Sequence, residues 1–148
     1  MELITTKLAI LNMKSNNMDQ AITTMANVLF ENNRITNRAL FIKDVKERES
    51  KMSTSMGMDL ALPHTRSKSV IYPSLFFGSL EKPITWGEDK VKIILGIAVP
   101  DNDDNTNSTY LKILSSLARQ LTHDEYRNAL INAKDVQTCV DLLSSVQY

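Results

Sequence analysis

The chain has 148 residues, 43% of them apolar and 23% charged, an ordinary globular composition in a length that buries roughly two-thirds of the unfolded surface. Seventeen basic and seventeen acidic residues cancel, so no overall field calls for nucleic acid or an anionic membrane. One cysteine, Cys139, excludes a disulfide framework and a thiolate metal cluster. No apolar run reaches the length of a membrane span, and Met1 to Met13 lacks the basic-then-apolar build of a signal peptide. The expectation is a single cytoplasmic domain over 1–148.

Residues 2–13 carry scattered apolar positions and read as a lead-in strand or loop. Asn17 is an N-cap candidate with Gln20 as its capping-box partner. Ile22, Met25, Ala26 and Leu29 follow at helical spacing, which predicts a helix over 18–32. Thr36 caps a second predicted helix with Ala39, Leu40, Ile42 and Val45 as its buried stripe. Residues 50–58 have no period and read as a loop, with Met52, Met56 and Met58 filling gaps beneath it. A short strand is expected at 59–62 and another from Val70 to Leu80, ended by a turn at Glu81-Lys82-Pro83. Trp86-Gly87-Glu88-Asp89 reads as a second turn, and Trp86 as a packing anchor. Val91 to Val99 is nearly continuous apolar sequence, which suits a strand buried on both faces. After a polar linker, Asp101 to Asn107, a helix opens at Ser108 with Leu111, Leu114, Leu117, Ala118 and Leu121 along one stripe. Thr122-His123-Asp124-Glu125 reads as a capping box, and a last helix is expected at about 135–146. Helices, then strands, then helices indicate an α/β or α+β domain.

Little catalytic vocabulary is present. There is no glycine-rich phosphate loop, no nucleophile elbow and no paired-histidine zinc helix. His123 reads as an exposed helix-start residue and Cys139 as a buried small hydrophobe. His64 is different. Pro63 fixes its own φ and offers no donor, so the chain is held rigidly just before the ring. The ring is expected at the carboxyl end of a strand, where α/β folds place ligands. A mostly neutral imidazole offers a lone pair to act as general base, metal ligand or nucleophile. Arg34 to Lys68 holds eight basic residues (Arg34, Arg38, Lys43, Lys46, Arg48, Lys51, Arg66, Lys68) against four acidic ones (Asp44, Glu47, Glu49, Asp59). That local excess suits an anionic ligand, and Arg66 and Arg48 are the arginines nearest to His64 in sequence.

Arg48-Glu49, Ser53-Thr54, Gly57 and Leu60-Ala61-Leu62-Pro63-His64 together resemble the phosphorylation segment of enzyme IIA domains of the bacterial phosphotransferase system. The type is the fructose–mannitol one, which includes nitrogen-related members. Lys82-Pro83-Ile84-Thr85-Trp86-Gly87, Val91 to Val99 and the Leu111, Leu114, Leu117 helix fit the same resemblance. It implies an α/β single-domain sandwich, a central mixed sheet with helices on both faces. It implies that His64 accepts a phosphoryl group from phospho-HPr and passes it to an enzyme IIB partner. Through the membrane-embedded enzyme IIC, that transfer is coupled to sugar or polyol uptake. Arg48 matches the arginine that neutralises phosphate charge; no metal and no bound cofactor are implied. Tyr110 stands where many such domains have a second histidine. Its hydroxyl can donate to a phosphate oxygen but cannot be a cation near neutral pH. The alternative is a regulatory module that signals by its phosphorylation state, without efficient onward transfer.

Overall fold

The computed structural model describes residues 2–101 and 104–146, and of 104–107 the backbone alone. After a 3-10 turn at Thr6–Leu8 the elements are β1 (Ala9–Met13), α1 (Met18–Glu31), α2 (Arg38–Lys51), β2 (Leu60–Ala61), β3 (His64–Ser67), β4 (Ser74–Trp86), β5 (Asp89–Pro100), α3 (Asp104–Leu121), α4 (Asp124–Ile131) and α5 (Val136–Leu143). The sheet is mixed. Its order is β1, β4, β5, then β2, with β3 also pairing with β5. The β1–β4 pairing is parallel, β4–β5 is an antiparallel hairpin, and β2 and β3 both run parallel to β5.

β5 is the spine. From Ile93 to Pro100 every residue is buried, so both faces of the sheet are covered, as the apolar run predicts. Helix α1 lies against one face: a Cβ at Gly96 would collide with the Met25 sulfur, so glycine gives the helix its close approach. α2 packs on α1 and β3, α3 on β5 and β3, and α4 and α5 continue from α3 back to β1. The sequence expectation of a mixed sheet flanked by helices on both faces is met. The Trp86–Asp89 turn is also found, with Gly87 at φ +62° in the tight link between β4 and β5.

Several boundaries differ from the sequence reading. Glu81-Lys82-Pro83 is not a turn; β4 runs through it with a register shift between Ser79 and Ile84. All three residues are exposed, so two charged side chains and a proline carry no burial cost there. Asn37, not Thr36, caps α2, its side chain accepting from Leu40 N at 3.0 Å. The buried stripe of α2 is Phe41, Val45 and Glu49, while Ala39 is exposed. Asn17 caps α1 as expected, but Gln20 accepts from Asn16 N rather than from its own cap. α3 already begins at Asp104, before Ser108, and its buried line runs through Ile113 and Leu117 while Leu111 is 52% exposed. The capping box at Thr122 does not form. His123 occupies the N-cap without a side-chain bond, and the Thr122 hydroxyl turns back to Arg119 O. Met52 and Met58 are exposed, not gap-filling, and Met56 alone packs against the core. Residues 102 and 103 of the expected linker lie outside the described residues.

Leu95 is fully buried on the central strand. Leu95→Ala is expected to cost about 2–5 kcal/mol through lost transfer energy and a residual cavity. Urea titration checks this as a lowered midpoint at unchanged slope.

Candidate functional site

The site is assembled on the edge of the sheet beside β5. β2 and β3 share one register on that strand: Leu60 pairs with Ile93, Ala61 with Ile94, His64 with Ile97 and Ser67 with Pro100. The offset of 33 positions is the same on both sides of Leu62-Pro63 (93 − 60 and 97 − 64). What looked like a strand end at Leu62 is therefore a break in one edge strand, and His64 opens its second half. The cause is Pro63, whose carbonyl accepts from Ile97 N at 3.0 Å but which has no N–H to complete the neighbouring rung.

Because carbonyls alternate along a strand, that of Leu62 faces away from β5. Leu62 N, on the same outer side, donates to Thr54 O at 3.0 Å. The Leu62 oxygen is taken by the imidazole of His64, whose Nδ1 lies 2.6 Å away. A carbonyl can only accept, so Nδ1 carries the proton and the lone pair resides on Nε2. The ring is 6% exposed. Burial lowers its pKa from 6.5, and the Arg48 charge adds to that; the Leu62 bond and Glu49 pull the other way. At neutral pH the imidazole is uncharged.

The outer edge of β2 is covered by the segment after α2. Ser55 bridges to Ala61, and Met56 N donates to Leu60 O at 2.9 Å. Gly57, Met58 and Asp59 all have positive φ (70°, 54° and 64°). They form a left-handed run that costs energy at the two non-glycine positions. A buried polar knot holds this segment. Glu49 takes Thr54 N and the Thr54 hydroxyl, each at 2.6 Å, and Trp86 Nε1 at 3.1 Å. Trp86 is fully buried, as a packing anchor should be, but its indole N–H also serves this carboxylate. Glu49 and Thr54 are noticeable in the sequence only as part of the Arg48-to-His64 pattern; their mutual bonding is not.

One residue before Glu49, at the end of α2, Arg48 turns to the other side. Its Nη1 reaches Met52 O at 3.4 Å, and its charge acts on the Tyr110 hydroxyl. Tyr110 is half-buried within α3 rather than ahead of it. Its ring centroid is 5.6 Å from that of His64, tilted by 43°. Burial raises the Tyr110 pKa, with Arg48 and Arg66 opposing, so the phenol keeps its proton throughout the neutral range. The three residues singled out from the sequence, His64, Arg48 and Tyr110, thus meet in one place.

An open cleft of about 500 Å³ lies against them, lined by Arg48, Lys51, Arg66 and Lys68, by Asp44, Glu47 and Asp101, and by Tyr110 and Thr65. His64 itself is buried and is not among the lining residues. Asp44 is partly engaged, accepting from the Ser67 hydroxyl at 2.6 Å. Among the described residues no group of three or more His, Cys, Asp or Glu is placed to hold a metal. His123 is exposed at the start of α4 and Cys139 is buried in α5; neither approaches this site.

Comparison with known proteins identifies the family and the fold. Residues 2–146 match the family model described as phosphoenolpyruvate-dependent sugar phosphotransferase system, EIIA 2. The chain belongs to that family. It is 32% identical over 100 residues to multiphosphoryl transfer protein 2 of Escherichia coli K12, covering 68% of this chain but 12% of that relative's length. The fold is that of the nitrogen regulatory protein IIA-Ntr from Neisseria meningitidis (TM-score 0.86, 21% identity, covering 95% of this chain and 96% of that one). It is also that of the mannitol enzyme IIA of Escherichia coli solved in complex with phosphorylated enzyme IIB (TM-score 0.77, 18% identity, 95% and 96%).

Two outcomes are expected. Thr54→Val keeps the shape but leaves one oxygen of the buried Glu49 carboxylate without its hydroxyl donor. It should cost about 1–3 kcal/mol in chemical unfolding. Nitrogen-detected NMR should find His64 protonated at Nδ1 with a titration midpoint below 6.5. Because the folded pKa is the lower one, the ring's contribution to stability is complete above pH 6.5 and is lost as pH falls through the folded value.

Proposed function

We propose that this enzyme IIA-family chain is a cytoplasmic phosphoryl carrier in which His64 is the acceptor. The observation that carries the reading is the His64–Leu62 hydrogen bond, which protonates Nδ1 and leaves a lone pair on Nε2 in a buried, neutral ring. The donor is phospho-HPr, whose phosphohistidine P–N bond breaks as the bond from Nε2 to phosphorus forms. The bonding pair returns to the donor imidazole. Phosphorylated His64 keeps its Nδ1 proton, donated to Leu62 O, and is a cationic imidazole, so the group can leave again without any proton moving at this site. The recipient is an enzyme IIB side chain, coupled to sugar uptake. Sugar transport is supported by the family description, and an enzyme IIB partner by the complex solved for the mannitol relative.

Arg48 is the group we assign to phosphate charge. It lines the cleft, and its charge acts on both the His64 ring and the Tyr110 hydroxyl. In phosphoryl transfer the protein contributes chiefly position and positive charge, and this is what the geometry supplies. Tyr110 contributes a neutral donor to the same place. A second reading, a regulatory module that is phosphorylated but transfers poorly, is favoured by that neutrality, since Tyr110 cannot add the charge a second imidazolium would.

Incubation with labelled phospho-HPr should place acid-labile phosphate on the parent chain and none on His64→Ala. An unlabelled parent would end the carrier reading. Arg48→Ala should slow labelling by about 10²-fold with the fold retained by circular dichroism; an unchanged rate would remove Arg48 from its role. Rapid loss of the label to an enzyme IIB domain supports transport, and its retention supports regulation.

A further inference from the structure

We propose that Arg66 is a second phosphate-binding cation, which closes with Arg48 and the Tyr110 hydroxyl around the phosphoryl group on His64. The inference rests on the phosphoryl-carrier reading and assigns a residue that reading does not use.

Three observations place Arg66 there. It is two residues from His64 on β3, in unbroken register with β5 (His64 against Ile97, Arg66 against Val99). Alternation puts both on one face of the strand, roughly 7 Å apart along it. It lines the cleft together with Arg48 and Tyr110, and it is exposed where His64 is buried. Finally, the field of Arg66 reaches the Tyr110 hydroxyl, as that of Arg48 does. The charges of two guanidinium groups, one from α2 and one from β3, therefore act on the phenol oxygen.

That arrangement has a cost when the site is empty. Two cations near one hydroxyl repel each other, and Arg66 has no ion pair or side-chain hydrogen bond among the described residues. Asp44, Glu47 and Asp101 share the cleft but none of them pairs with it. A dianionic phosphoryl group on Nε2 is the ligand such a pair of forks suits, since guanidinium meets phosphate oxygens through two parallel N–H bonds. Lys51 and Lys68 line the same cleft and add to its positive charge.

The test uses the full chain, phosphorylated by phospho-HPr, as parent, Arg66→Gln, Arg66→Lys and the charge control Lys43→Gln, which lies on α2 outside the cleft. Arg66 is exposed and unpartnered among the described residues, so its variants should keep the parent's circular dichroism. Labelling of Arg66→Gln should slow by about tenfold or more, with partial recovery in Arg66→Lys and none of this in Lys43→Gln. The deciding readout is the phosphorus NMR titration of the isolated phospho-protein. The pH at which the dianionic phosphoryl group takes up a proton and becomes a monoanion should rise in Arg66→Gln, because the dianion has lost a cation. If the titration is unchanged, Arg66 does not touch the phosphate and the assignment is overturned. Slower labelling would then report a contact with the donor protein. A parent that takes no label removes the carrier reading and this one with it, whereas a labelled parent with an unshifted variant removes this one alone.

Discussion

A single carbonyl left over by strand geometry orients the imidazole at this site. Pro63 must direct its oxygen to β5 to hold the register, so Leu62 directs its own outward, at the point where the covering segment has just used the Leu62 N–H. No backbone donor remains for that oxygen, and an unsatisfied buried carbonyl is costly. His64 supplies the donor at 2.6 Å. One bond thereby satisfies the strand, fixes the ring and chooses the tautomer. Had Pro63 been an ordinary residue, the rung would be complete and the edge strand regular, but the register on β5 would be the same.

The second constraint is the end of α2. Consecutive helical residues point about 100° apart, so Glu49 and Arg48 cannot face the same way. Glu49 continues the buried stripe of Phe41 and Val45 and enters the interior, where Thr54 and Trp86 satisfy its oxygens with donors. Arg48 is left facing the cleft. Fixing the turn after α2 through Glu49 therefore fixes Arg48 as well, and the same turn covers the strand edge that leads to His64. Scaffold and site are one set of bonds here.

Much of this was legible in the sequence. Periodicity located α1, the apolar run identified β5 as a strand buried on both faces, and the family resemblance of the Arg48-to-His64 segment pointed to the site. What escaped was of three kinds. Leu62-Pro63 reads as a strand end because proline normally stops a ladder, and only the register against Ile93 and Ile97 reveals one strand with a missing rung. Glu81-Lys82-Pro83 has turn composition, yet there β4 is solvent-exposed and polarity carries no cost. The buried stripe of α2 takes in Glu49, a charged residue whose burial depends on partners five and thirty-seven residues away. Local patterns report local preferences, and these three were decided by tertiary contacts.

Tyr110 is the position where chemistry and sequence pattern pull apart, and the Leu62 bond reconciles them. A second imidazole beside the first could serve as a proton source or as a cation. In the proposed cycle the first need does not arise, since the proton stays on Nδ1, donated to Leu62 O, while phosphorus comes and goes at Nε2. The second need can be met elsewhere, by guanidinium groups that remain charged at any physiological pH. A phenol held protonated by burial then has the one remaining task of donating a directional hydrogen bond while shielding the ring. On this view the tyrosine does not weaken the site. It moves the positive charge from a titrating group to arginines on α2 and β3, and makes the site's charge independent of pH across the range in which His64 itself stays neutral.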